Sequence, residues 1–137
     1  MTQVREVMTS NPESCSPQAS VVDAAKVMAK EDVGPIPVVD SGRLAGILTD
    51  RDIVVRVVAE GRDPQSTSVG DVASAELATV SPDEDLDRAL HLLTEQQVRR
   101  LPVVEGETLV GVVSQADIAR QGDDRTTGQV VEQISQD

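Results

Sequence analysis

One stretch of this chain occurs twice. Gly46-Ile47-Leu48-Thr49-Asp50-Arg51-Asp52-Ile53 returns as Gly111-Val112-Val113-Ser114-Gln115-Ala116-Asp117-Ile118, an offset of 65 residues (111 − 46). The register holds without a gap. Val4 meets Val69, Val7 meets Val72, Ser16-Pro17 meets Ser81-Pro82, Ala24 meets Ala89, and Pro37-Val38-Val39 meets Pro102-Val103-Val104. Leu44 meets Leu109, and Asp52-Ile53 meets Asp117-Ile118. A fixed register of this kind means one supersecondary unit built twice.

Each copy reads alike. A short helical turn carries Val4 and Val7, or Val69 and Val72. A brief extended piece follows near Ser14–Ser16, or Ala78–Ser81. An amphipathic helix comes next, with Val21, Ala24, Ala25 and Met28, or Leu86, Ala89, Leu90 and Leu93, on one stripe. Ser20 and Asp85 are its N-caps. The spacing predicts strands over Ile36–Val39 and Leu44–Leu48, and again over Leu101–Val104 and Leu109–Val113. Pro37 and Pro102 cannot donate to a ladder and belong at a strand start or an edge. A second helix is predicted from Asp50 to Ala59, and from Gln115 to Gln121. The fold class is mixed α+β, with two β-α-β-β-α repeats packed sheet to sheet in pseudo-two-fold symmetry. The division is 1–60 for the first repeat, 61–68 for a polar linker, 69–121 for the second repeat and 122–137 for a tail. In the tail, Val130, Val131 and Ile134 suit a short docking helix.

Composition narrows the function. The chain has 12 basic and 24 acidic residues, a net charge of −12, so a nucleic-acid partner is not expected. It has no Phe, Tyr or Trp, so a flat heterocycle would have to lie between aliphatic groups and backbone amides. No run is long enough for a membrane span, and the N-terminal residues lack the apolar segment of a signal peptide, so a cytoplasmic protein is expected. Cys15 and His91 are the single cysteine and histidine; they cannot build a metal site, and the acids show no tight cluster. His91 aligns with Lys26 on the outer part of its helix, and Met8 and Met28 suit core filling. No nucleophile–base pair suggests an enzyme.

The repeated turn has two readings. Thr49 to Asp52 and Ser114 to Asp117 fit a variant of the helix capping box, and Ser20 to Asp23 and Ser81 to Glu84 share its spacing. The same hydroxyl and carboxylate flank a helix start that favours phosphate, and an ionised Asp accepts from a vicinal diol such as ribose. Gly46 and Gly111 permit close approach by a ligand or by a neighbouring strand.

The paired Gly-h-h-Ser/Thr-x-x-Asp turns, each preceded by an h-Pro-Val-Val run, resemble a tandem cystathionine β-synthase (CBS) domain pair, or Bateman module. The runs Leu48–Val54 and Gln97–Val103 are most similar to small stand-alone pairs of the hypoxic-response-protein type. The resemblance covers residues 4 to 121. It implies two clefts between the repeats that take an adenine nucleotide or S-adenosylmethionine as regulatory ligand, with no other cofactor. Asp52 and Asp117 would take the ribose hydroxyls, and Thr49 and Ser114 would lie by the ribose or phosphate. Gly34, Pro35 and Ile36, and Arg99, Arg100 and Leu101, would line the adenine pocket or reach phosphates of the other repeat's cleft. Ser10 and Ala75 would form walls. Arg51, Arg99 and Arg100 make the two clefts unequal toward phosphate. The resemblance also implies a homodimer with exposed helices facing each other, and output through a separate protein target. The alternative is a dimeric interaction protein whose clefts are vestigial.

Overall fold

A computed structural model describes residues 2–75 and 78–121. In chain order it has a 3-10 turn (Val4–Glu6), β1 (Thr9–Ser10), α1 (Val21–Glu31), β2 (Ile36–Asp40), β3 (Arg43–Leu48) and α2 (Asp50–Ile53). A π-helical stretch (Val54–Val58) continues α2. Then come α3 (Val69–Val72), α4 (Leu86–Gln96), β4 (Arg100–Glu105), β5 (Thr108–Ser114) and α5 (Gln115–Gln121). The fold is α+β. The tail reading at Val130, Val131 and Ile134 lies outside the described residues.

The chain packs as two units whose borders cross the sequence repeats. One contains residues 13–75 and the other contains 2–12 together with 78–121. In the first, Ser20 caps α1 by accepting from the Asp23 amide at 3.1 Å. The helix ends at Asp32, which takes the left-handed conformation (φ 54°). Val21, Ala24 and Met28 are buried against Ile36, Val38, Leu48 and Val57. Ala25 does not join them: its single methyl is exposed, whereas Leu90 at the equivalent place in α4 reaches cover. Val27 packs on the core instead. The β2–β3 hairpin closes on Ser41 and Gly42, both at positive φ, the primed turn that matches strand twist.

The linker is docked. Thr67 is buried, its hydroxyl donates to the Asp63 carbonyl at 2.7 Å, and its own carbonyl accepts from the Val21 amide at 3.0 Å. It delivers α3 so that Val69 and Val72 complete this core. The Val69 amide donates to Ala19 and the Gly70 amide to Pro17. Behind α3, Ser74 and Ile47 exchange two backbone bonds of 2.9 Å each.

The other unit repeats this plan with the N-terminal segment in the place of α3. The Val4 amide donates to Glu84 and the Arg5 amide to Pro82, both at 2.9 Å. Subtracting 65 from these acceptors gives Ala19 and Pro17, so the docking itself is a repeated feature. An exposed Arg5–Asp83 ion pair adds to it, and the neighbouring carboxylate raises the Arg5 pKa. β1 pairs with β5, Thr9 opposite Val112 and Ser10 opposite Gly111. Val4 is fully buried with Leu86, Ala89, Leu93, Leu101, Val103 and Ile118. Met8 packs against the same cluster. The helical turn of each sequence repeat therefore serves the core of the other repeat.

The helix expected from Asp50 to Ala59 is not α-helical throughout. Beyond Ile53 the Ala59 amide donates to Val54, five residues back, at 2.9 Å. Four β-branched residues in five, Val54, Val55, Val57 and Val58, are stiff at χ1 and crowd a regular helix. The wider coil buries Val57 while Val54, Val55 and Val58 stay 58%, 47% and 66% exposed.

Cys15 lies half-buried beside β2, its amide bonded to the Pro37 carbonyl at 3.0 Å. Burial raises the thiol pKa. The raised folded value favours the protonated thiol, so its contribution to stability is present below the unfolded pKa and is lost as pH rises through the folded one. Iodoacetamide should label the folded protein at pH 8 at least about tenfold more slowly than the urea-unfolded chain. Equal rates would contradict the burial.

Candidate functional site

Each unit carries one copy of the strand-to-helix turn, and both copies are closed as reciprocal caps. In the first-repeat copy the Asp52 amide donates to Thr49 Oγ1 at 3.1 Å, and the Thr49 amide donates to Asp52 Oδ2 at 3.0 Å. In the second, the Asp117 amide donates to Ser114 Oγ at 3.1 Å, and the Ser114 amide to Asp117 Oδ2 at 3.0 Å. The capping reading is thus realised, with Asp doing what Glu usually does.

Capping leaves part of each group available. The cap uses Thr49 Oγ1 only as an acceptor, so its proton can still be donated. Only Oδ2 of half-buried Asp52 is engaged; Oδ1 carries no hydrogen bond among the described residues. The second copy differs. Asp117 is 6% exposed, and its Oδ1 accepts from Arg120 Nη2. The sequence reading did not single out Arg120, although its place three residues after Asp117 on a helix is the signal for such a pair.

The pre-strand segments lie against the turn of their own repeat. The Asp50 amide donates to the Gly34 carbonyl at 3.2 Å, and the Gln115 amide to the Arg99 carbonyl at 3.0 Å. Ile36 pairs with Leu48, and Arg100 with Ser114. Ile36 and Leu101 are 1% and 2% exposed, so their side chains belong to the cores. Pro35 is half-buried, while Arg51, Arg99 and Arg100 are exposed and in no ion pair among the described residues. Exposed Ser10 faces Gly111 across the β1–β5 ladder. Exposed Ala75 follows Ser74 at the Ile47 bridge.

Two positions between the hydroxyl and the acid matter more than sequence reading gave them. A Cβ at Gly34 would stand 2.9 Å from Asp50 Oδ1, so that carboxylate fills the space a side chain at position 34 would need. Asp50 Oδ1 is held by the Arg51 amide at 3.0 Å. The equivalent Gln115 is uncharged, and its Oε1 is buried without a hydrogen-bond partner among the described residues. The offset of 65 that aligns Asp50 with Gln115 was the available signal.

His91 is exposed and pairs with Glu95 at 2.9 Å on the outside of α4. No group of three or more His, Cys, Asp or Glu side chains is gathered as for a metal ion among the described residues. No described helix is long and apolar enough to cross a membrane.

Two α+β repeats with a capped Ser/Thr-x-x-Asp turn in each define a tandem-repeat module. The family model for the CBS domain matches residues 4–59 and 69–123, and the chain belongs to that family. It is 41% identical over 136 residues to the CBS domain-containing protein YhcV of Bacillus subtilis (strain 168), covering 98% of this chain and 96% of that one. Hypoxic response protein 1 of Mycobacterium tuberculosis is 36% identical over 135 residues, with coverage of 98% and 94%. A crystal structure of Hypoxic Response Protein I with two coordinated zinc ions superposes with a TM-score of 0.79 at 37% identity, covering 88% of this chain and 98% of that one. CBSX2 in complex with AMP gives 0.77 at 27% identity, with coverage of 88% and 95%. The CBS domain pair of MJ0100, in complex with 5'-methylthioadenosine and S-adenosyl-L-methionine, gives 0.75 at 26%, with coverage of 88% and 94%.

Proposed function

We propose that this chain is a cytoplasmic regulatory module that binds adenosine-containing ligands and signals by a shape change to a partner protein, without catalysing a reaction. The observation that carries the reading is the repeated turn itself. In the first repeat, a carboxylate oxygen that the cap leaves open stands one helical turn from a hydroxyl with a proton to donate. That pair suits a ribose diol, which offers two donors to an acceptor-only carboxylate. The AMP, methylthioadenosine and S-adenosylmethionine complexes of the related pairs support the ligand class. In this reading ligand binding reaches a partner protein as a coupling free energy between two sites. The exposed valines 54, 55 and 58 support a homodimer in which helices of two copies meet.

The second reading is an interaction protein with vestigial clefts. The observation favouring it is Asp117, whose two oxygens are already occupied by the Ser114 amide and Arg120.

Calorimetric titration with adenosine, AMP, ADP, ATP and S-adenosylmethionine separates the two. The variant to compare is Asp52→Asn/Asp117→Asn, which keeps an acceptor for each cap while removing the charge. Dissociation constants on the order of micromolar in the wild type, weakened at least about tenfold in the variant, are the expected result. No heat with any adenosine compound, at unchanged dimer mass, leaves the interaction reading standing.

A further inference from the structure

We propose that residues 2–10, the arm that carries the 3-10 turn and β1, are exchanged between two copies of this chain. The arm of one copy completes the second-repeat core of the other. The inference does not use the ligand reading. It goes beyond the homodimer proposed above by naming the segment that crosses.

The arm belongs to a unit that its own chain reaches only by passing through the other. It packs with residues 78–121, and residues 13–75 lie between the two in the chain. The Val4 amide donates to Glu84, the Arg5 amide to Pro82, and the Leu86 amide to the Thr2 carbonyl. β1 pairs with β5. Val4, Val7 and Met8 pack in a cluster that, among the described residues, takes nothing from 13–75. Met8 Sδ lies over Gly111, 2.7 Å from where a Cβ would stand. An identical arm from a second copy can make each of these contacts. The equivalent segment α3 differs, because it stands inside the run 13–75 whose core it completes.

The hinge favours exchange. Ser10 is fixed in the β1–β5 ladder. Cys15 is fixed on β2, where its amide donates to Pro37 at 3.0 Å and its carbonyl accepts from Val39 at 2.9 Å. Residues 11–14 must join these two anchors. Asn11 does so at a φ of 51°, and Pro12 follows it. Left-handed backbone is uncommon outside glycine, and a following proline ring pushes its predecessor toward extended backbone. The closed chain therefore stores strain at Asn11 while both anchors hold. In the exchanged form the hinge runs on to another molecule, and Asn11 is free to extend. Short hinges under strain invite such exchange, and it is self-complementary: two arms and two acceptors meet about one two-fold axis. β5 continues from this pairing to Ser114. Exchange thus sets Ser10 of the partner subunit beside the strand that leads into the second-repeat turn.

Disulfide trapping tests this. Thr9 and Val112 are directly opposed in an antiparallel pair. Cα atoms so placed stand about 4.5–5.5 Å apart, within disulfide reach. Thr9 is exposed and Val112 half-buried, so both should tolerate cysteine; circular dichroism checks this. Thr9→Cys/Val112→Cys is made in a Cys15→Ser background and refolded at high protein concentration. It is then oxidised with dipyridyl disulfide and run on a denaturing, non-reducing gel beside the two single-cysteine variants. The expected result is a covalent dimer from the double variant and from neither single one. Asn11→Gly, which relieves the closed hinge, should lower the share of covalent dimer at least about fivefold. Covalent monomer as the sole product, with dimer mass retained in light scattering, overturns the exchange and leaves the homodimer in place. Monomer mass at every concentration removes both. Should the cysteine variant not fold, Arg5→Lys supplies a second readout, because its amine can be joined to Asp83 by a carbodiimide. The reaction is run on a refolded one-to-one mixture of unlabelled and isotope-labelled chains. Crosslinked peptides of mixed label support the exchange, and peptides of a single label only overturn it.

Discussion

Deleting residues 2–11 should unfold the second repeat rather than the first. The segment carries Val4, fully buried in the core built by α4, β4 and β5. It also supplies backbone bonds from Val4 to Glu84, from Arg5 to Pro82 and from Leu86 to Thr2, each 2.9 Å, and the whole of β1. Burying a valine side chain is worth about 1.5–3 kcal/mol. Each backbone bond adds a net of about 1 kcal/mol. A loss of roughly 5 kcal/mol is large against the 5–15 kcal/mol that holds a typical domain together. Amide hydrogen exchange gives the readout. Protection should fall first and furthest in α4, β4 and β5, and Val4→Asp should reproduce the pattern. Protection lost first in α1, β2 and β3 would mean that the segment serves its own sequence repeat, and the assignment of the units would be wrong.

That experiment also marks the limit of what the chain discloses in one dimension. The offset of 65 shows that Val4 and Val69 are equivalent and that both belong in a core. It is silent on which core, because exchanging two equivalent segments leaves every sequence match unchanged. The strands, the caps at Ser20 and Asp85 and the stripes of the two long helices were legible, because periodicity and capping are local properties. The ends of the strands extended one residue further than the pattern, at Asp40, Arg43, Arg100, Glu105, Thr108 and Ser114, where hydrogen bonding continues past the apolar run. The π-helical stretch was not legible as such. The β-branched run of 53–58 weakens an α-helix, but the choice of a wider coil depends on the burial of Val57.

The site was partly legible for the same reason. Thr49, Asp52, Ser114 and Asp117 stand out because the motif repeats in register. The hydrogen bonds show them as caps first, and what remains open on them is the basis of the ligand reading. Asp50 and Arg120 escaped notice because their roles come from a contact with Gly34 and with Asp117, neither of which recurs in the other copy. Asymmetry between repeats is invisible to a search for what the repeats share.

The glycine of the motif gives the second large effect. Gly46→Ala should destabilise the protein by about 2–4 kcal/mol and Gly111→Ala by about 1–3 kcal/mol, from overpacking and strained backbone bonds. Neither glycine has a positive φ, so backbone conformation is not the reason. The reason is proximity. A Cβ at 46 would lie 2.6 Å from the Ser74 carbonyl oxygen, a backbone atom that accepts from the Ile47 amide at 2.9 Å. Relief requires β3 and the segment after α3 to part. At 111 the nearest atom is Met8 Sδ at 2.7 Å, on a side chain that can swing away, and the Thr9 carbonyl oxygen follows at 2.9 Å. Urea denaturation of the two variants ranks them. Gly111→Ala costing more than Gly46→Ala would refute the argument that a backbone neighbour yields less than a methionine. Of the two partners a small residue admits, a ligand or a strand, the glycine at 46 therefore answers to the strand. Because β3 runs directly into Thr49, a strand displaced at 46 also displaces the hydroxyl and acid of the candidate site. Gly46→Ala should accordingly weaken the adenosine binding proposed for the first-repeat turn even at temperatures where the variant remains folded.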